Sequence, residues 1–180
     1  WGFVNKRTWE AGASTLVLLA VFFLPVVMGM QTLYPWANPE IVAEDALIQH
    51  KEPYLNAGFF MVRAAFYFVV WCGIAWAIRS WSRKQDSSGD ESLTRRQMTL
   101  SGAGVPLVIL TLTFASIDWV MSLEPHWFST IYGLIFLAGY GLMTLSFTAI
   151  VLHRIADQQP IAQVVKRSHF NDLGSLMLAF

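Results

Sequence analysis

One cysteine in 180 residues, Cys72, leaves nothing from which to build a disulfide framework, a CxxC redox pair, a cysteine-ligated cluster or a c-type haem attachment. Charge is scarce as well. Asp, Glu, Lys and Arg make up 13% of the chain, where a soluble domain carries about 25%. Neither sign prevails: twelve basic residues face twelve acidic ones, which excludes a basic nucleic-acid binder and an acidic disordered tail. Histidines number four, and the spans below put His50 and His126 at one end and His153 and His169 at the other. Two of them are therefore not placed to face each other as ligands of a haem held between helices. No HExxH, phosphate loop, dinucleotide glycine fingerprint or nucleophile elbow is present. No metal site is expected in this chain.

What the chain has is hydrocarbon: 55% hydrophobic residues and a mean hydropathy of +0.47. Apolar runs cover residues 11–30, 55–78, 98–123 and 128–153, each long enough for the roughly 20 residues that a helix needs to cross a bilayer. Barrel strands would be about 10 residues of strict alternation, and these runs are continuous. The expected fold is all-α, a polytopic transmembrane bundle in a single domain with four full spans. Residues 173–180 read as a truncated fifth, and the sequence from Trp1 to Phe180 as a fragment of a longer chain.

Orientation follows from the basic residues. Lys6 and Arg7 precede the first span. Arg79, Arg83, Lys84, Arg95 and Arg96 lie between the second and third, and Arg154, Lys166 and Arg167 follow the fourth. All three segments fall on one side of a four-crossing chain. The other side carries Lys51 among Glu40, Glu44, Asp45, Glu52 and Glu124. The positive-inside rule makes the first side, with the N-terminus, cytoplasmic. Residues 31–54 read as a long outer loop, 85–92 as a flexible tip, and Pro125 as the start of the fourth helix. Trp9, Trp36, Trp81, Trp119 and Trp127 lie near span ends, as an interfacial aromatic belt requires. Pro25, Pro106 and the glycines of the third and fourth spans fit close packing with mild kinks, or a broken helix lining a transport cavity.

Two charges sit inside spans, where insertion scales charge about 2.5–3.5 kcal/mol for each. Arg63 lies about 12 Å and Asp118 about 8 Å from the outer ends of their helices, at 1.5 Å per residue. Asn56, Arg63 and Tyr67 share one helical face, and Thr111, Asp118 and Ser122 share another. Two polar stripes near the outer surface can therefore meet. One reading is an ion pair that fixes helix register. Another makes Asp118 a proton-exchanging carboxylate whose affinity burial and Arg63 adjust in opposite senses. In a third, Arg63 snorkels outward while Asp118 faces water. Glu124 and His126 follow within nine residues, as proton-transfer candidates beside Asp118 or as wet turn residues. His50 reads as a solvated histidine.

The segment from Ile117 to Gly133, Ile-Asp-Trp-Val-Met-Ser-Leu-Glu-Pro-His-Trp-Phe-Ser-Thr-Ile-Tyr-Gly, resembles the signature of the F subunits of bacterial alternative complex III. Phe59 to Tyr67 is similar to a second helix of that family, and Asn171-Asp172-Leu173-Gly174 to the start of its next one. The family is related to the NrfD-like membrane subunits of polysulfide reductases. The resemblance implies a multi-pass subunit, in the bacterial cytoplasmic membrane, of a respiratory complex that oxidises menaquinol or ubiquinol. Haem c and iron–sulfur clusters would lie on partner subunits, with no metal centre in this chain. It leaves open a contribution to quinol binding, a role in proton release, and a purely structural role. A scaffold subunit of the same complex and a stand-alone transporter are the competing expectations.

Overall fold

The computed structural model describes residues 2–159 and 161–180, apart from the side chain of Phe3. It is 81% helical, with no strand among the described residues. Four helical stretches are long and apolar enough to cross a membrane: Val4–Met28, Ala57–Ser88, Glu91–Leu123 and Tyr132–Ile155.

The first stretch is segmented into α1 (Gly2–Ala13), α2 (Leu16–Phe22) and α3 (Leu24–Met28), followed by α4 (Met30–Leu33). The helical path therefore begins well before residue 11. Its break at Phe23 has a cause in Pro25, which cannot donate to the preceding turn. Residues 31–54 are not a plain loop. A single 3₁₀ turn at Pro35–Ala37 leads to α5 (Pro39–Glu44) and α6 (Ala46–Lys51). Each short helix starts on a side-chain cap, with Asn38 accepting from the Glu40 amide and Asp45 from the Leu47 and Ile48 amides.

Helices α7 (Ala57–Ser88) and α8 (Glu91–Trp119) form the frame. Asn56 caps the start of α7 by accepting from the Phe59 amide. Gly89 ends it at φ 65°, a left-handed conformation that glycine adopts without a Cβ penalty, and its amide returns to the Gln85 carbonyl. Asp90 immediately caps α8 through the Ser92 amide. The expected flexible tip at 85–92 is thus a two-residue turn between helices, because consecutive cap residues satisfy both ends at once. At 32 residues α7 is about 48 Å long, well beyond the roughly 30 Å hydrocarbon core. Its last turns carry Arg83 and Lys84, and the first turns of α8 carry Arg95 and Arg96.

A 3₁₀ turn at Met121–Leu123 and an irregular stretch connect α8 to α9 (Tyr132–Ile155). Pro125 does not start the fourth helix, since the chain turns for six more residues before Tyr132. Helices α8 and α9 approach closely where Gly133 meets Thr113; a Cβ there would lie 3.1 Å from Thr113 Cβ and closer still to its Cγ2. Helix α10 (Arg167–Met177) starts earlier than the expected 173 and packs Leu173 against Leu145 and Leu152 of α9.

The aromatic-belt expectation needs a correction. Trp36 is buried with Met30, Tyr34, Ile48, Leu55 and Phe60, and Trp119 packs against this cluster. Trp119 stacks on Phe68 at 5.6 Å and tilts against Phe23 at 4.6 Å. These two tryptophans fill a core at the acidic end of the bundle, whereas Trp127 is exposed. Outward faces are apolar, with Val17, Phe22, Val62, Val69, Trp76, Leu134 and Phe147 all exposed.

Candidate functional site

Asn56, Arg63 and Tyr67 recur on one side of α7, but only the last two reach α8. Arg63 Nε donates to Asp118 Oδ2 at 2.8 Å and Nη2 donates to Oδ1 at 3.0 Å, a fork-to-fork pair. Tyr67 OH donates to Asp118 Oδ2 at 2.7 Å. The third guanidinium nitrogen, Nη1, donates to the Tyr54 carbonyl at 2.9 Å. Two rings also border the guanidinium, Tyr54 at 3.9 Å and Phe59 at 4.3 Å, set edge to face at 87° to each other. Asp118 is wholly buried and Arg63 is 9% exposed. Arg63 does not snorkel outward, and Asp118 does not face water.

This arrangement can hold two charges at membrane depth because each has several partners. Both carboxylate oxygens accept hydrogen bonds, all three guanidinium nitrogens donate, and the cation has two aromatic rings beside it. Ser122 Oγ closes the turn below by donating to the Asp118 carbonyl. Tyr34 OH donates to the Trp119 carbonyl at 3.0 Å, tying the residue after Asp118 to the segment between α4 and α5. Burial, and then the Asp118 charge, push the Tyr34 hydroxyl up to about 12. The same two causes, in the same order, raise Tyr54 to about 12, and its hydroxyl is buried without a well-formed hydrogen bond. Both phenols stay neutral across physiological pH.

The remaining candidates are elsewhere. Asn56 serves as the cap of α7, with its amide on the Glu52 carbonyl at 3.0 Å. Thr111 accepts from Trp71 Nε1 at 2.8 Å while donating back to its own helix, a second α7–α8 link one level deeper. Glu124 and His126 stand apart from the buried pair, and no hydrogen bond or ion pair joins either to Asp118. His126 Nε2 lies 2.8 Å from Asp45 Oδ2, and Nδ1 lies 3.8 Å from Glu124 Oε1. Both His126 and Glu124 are exposed, so this is a surface cluster rather than a buried relay. Asp45 is held below its ordinary 3.8, first by the Ile48 amide and then by the Leu47 amide and His126.

Reading the sequence in isolation missed two contributors. Tyr54 supplies a carbonyl and a ring to Arg63, but its spacing from Arg63 crosses the start of α7 and breaks helical periodicity. A polar set at the Lys/Arg-rich end was also missed. There Lys6 Nζ donates to Gln97 Oε1 at 2.9 Å, Gln97 to Gln85 Oε1 at 3.1 Å, and Arg7 to Ser82 Oγ at 3.1 Å. Arg7 also bridges Glu10 and Asp86. No local pattern announces the contacts of Lys6 and Arg7 with α7 and α8, which are 75 to 91 residues apart.

Two cavities flank the frame. One of about 250 Å³ lies at the acidic end, walled by His50, Lys51 and Tyr54 on one side and Met121, Ser122 and Trp127 on the other. A larger, mostly apolar groove of about 930 Å³ runs between α1–α2 and α8–α9, past Trp9, Leu16, Trp71, Leu112, Trp119 and Met143. Among the described residues no three His, Cys, Asp or Glu side chains gather as metal ligands. No protein-family model matches the chain, and no curated protein matches it.

Proposed function

We propose that this chain is a multi-pass membrane subunit of a respiratory redox assembly whose electron-carrying centres lie on partner subunits. The particular reading is an F-type subunit of bacterial alternative complex III, which oxidises menaquinol or ubiquinol in the cytoplasmic membrane. One observation carries it. The two segments that resemble that family, Phe59–Tyr67 and Ile117–Gly133, meet at Arg63, Tyr67 and Asp118. The two segments depend on each other physically, because loss of either Arg63 or Asp118 would leave the other a buried, unpaired charge.

Within that assembly the Arg63–Asp118 pair acts as a register pin for α7 and α8. Support for this over proton exchange is the complete commitment of both carboxylate oxygens and the absence of exposed surface on Asp118. Proton release, if this subunit takes part in it, falls to the exposed pair Glu124 and His126 on the acidic side. By the positive-inside argument that side is the outer one, with the N-terminus cytoplasmic.

The test is purification of the full-length protein from its native membrane in mild detergent. The expected result is a stable assembly with c-type haem in the reduced-minus-oxidised spectrum, non-haem iron, and quinol oxidation activity. A chain that purifies alone, without haem or iron, overturns the reading. Solute transport by that isolated chain in vesicles would establish the transporter instead.

A further inference from the structure

The larger groove is apolar along most of its length and charged at one end. Its wall on α8 runs from Val108 to Val120, about 18 Å at the helical rise. That slightly exceeds half of the roughly 30 Å hydrocarbon core, which is the depth of one leaflet's acyl chains. Lys6 and Glu10 stand on the wall at the Lys/Arg-rich end. The Glu10 side chain is only 9% exposed, and its Oε2 accepts from Arg7 Nη1 at 2.7 Å. Its Oε1 is buried and accepts no hydrogen bond. Lys6 Nζ lies 3.9 Å from that oxygen, too far to donate, because it is held by Gln97 Oε1 at 2.9 Å. A buried carboxylate oxygen without a donor is costly, and most of all at membrane depth. The chain therefore leaves an acceptor on the wall of an apolar groove for a donor from outside.

Charge selects that donor. Lys6 and Arg7 bring two positive charges to this end, and Glu10 and Asp86, which Arg7 also bridges, bring two negative ones. A zwitterionic headgroup keeps the cluster neutral, whereas an anionic one adds a negative charge beside Glu10. We propose that the groove binds a phospholipid with a primary ammonium headgroup, of the phosphatidylethanolamine class. Its ammonium donates to Glu10 Oε1, and its acyl chains lie along Trp71, Leu112 and Met143. Lys6 has three N–H groups and gives one to Gln97, so it can also donate to the lipid phosphate. A choline headgroup carries the same charges but no N–H and cannot fill the place. This holds whatever assembly the chain belongs to.

The experiment is native mass spectrometry of the full-length protein in mild detergent. It is offered phosphatidylethanolamine, phosphatidylcholine and phosphatidylglycerol with identical acyl chains. Wild type is expected to hold the ethanolamine lipid about tenfold more tightly than the choline lipid, the worth of one hydrogen bond to a charged group. Glu10→Ala should bring the two within about twofold; Arg7 keeps Ser82 and Asp86 in that variant, so α1 stays tied to α7. Leu16→Trp, which narrows the groove and leaves Glu10 in place, should weaken all three lipids. Equal retention of the ethanolamine and choline lipids by wild type overturns the proposal, and so does a preference that survives Glu10→Ala. Tightest binding of phosphatidylglycerol overturns the headgroup assignment, and retention unchanged by Leu16→Trp overturns the groove as the site.

Discussion

Replacing Asp118 with Asn tests the buried pair most directly. The substitution preserves volume but removes the charge and turns one acceptor into a donor. With its oxygen at the Oδ2 position Asn keeps the Tyr67 and Arg63 Nε bonds, but its NH₂ then faces Arg63 Nη2, which also donates; flipped, it keeps only the Nη2 bond. The Arg63 guanidinium, 9% exposed, then has no counter-ion. Breaking one partner out of such a pair costs about 3–5 kcal/mol. Removing all three side-chain polar groups, in Arg63→Met/Asp118→Leu/Tyr67→Phe, leaves no charge unpaired and only the Tyr54 carbonyl without its partner, and should return to within about 1–2 kcal/mol of wild type. Cys72, the only thiol, lies partly buried in α7 and provides the readout. Its rate of maleimide labelling across a denaturant titration gives the unfolding midpoint of each variant. A loss below about 1 kcal/mol in Asp118→Asn, the level of an exposed ion pair, would refute the pin.

Further outcomes follow from the same contacts. Tyr67→Phe removes one hydrogen bond to a buried carboxylate and should lower stability by about 1 kcal/mol in the same labelling assay. Gly133→Ala places a methyl against Thr113, whose β-branch cannot rotate away, and should cost about 1–3 kcal/mol; Thr113→Ala in the same chain should restore most of it, as thermal unfolding in detergent will report. Asp45 titrates below its ordinary 3.8 in the folded state, so its stabilising effect is complete above that value and lost as pH falls through the depressed one. Protection of the α6 amides should accordingly drop on acidification past pH 4 in wild type, and Asp45→Asn should flatten that fall. Trp9→Phe breaks the 2.8 Å bond to Thr148 that ties α1 to α9, and should cost about 0.6 kcal/mol by the same unfolding measurement.

The helical class and the number of spans were written in the sequence, because hydrocarbon length is a local property that a run of twenty residues carries by itself. The depths of Arg63 and Asp118 were legible for the same reason, as residue counts from a helix end. Span boundaries were less so. Apolar counting stopped at Ile78 and resumed at Met98, yet α7 and α8 continue through charged residues to a turn at Gly89, since caps rather than hydropathy end a helix. Interior placement was least legible. Trp36 and Trp119 looked like belt residues, and only the fold-back of residues 31–56 makes them core. Which side chains surround Arg63 was likewise decided in three dimensions. Tyr54 comes from another segment, and Asn56, on the same helical face, is consumed as a cap. His126, close in sequence to Asp118, meets Asp45 instead, with Glu124 beside it, through a turn that no periodicity describes. Sequence by itself determined what had to be taken out of water and into helices; the tertiary structure decided which buried charge meets which, because that depends on how separate helices are set against one another.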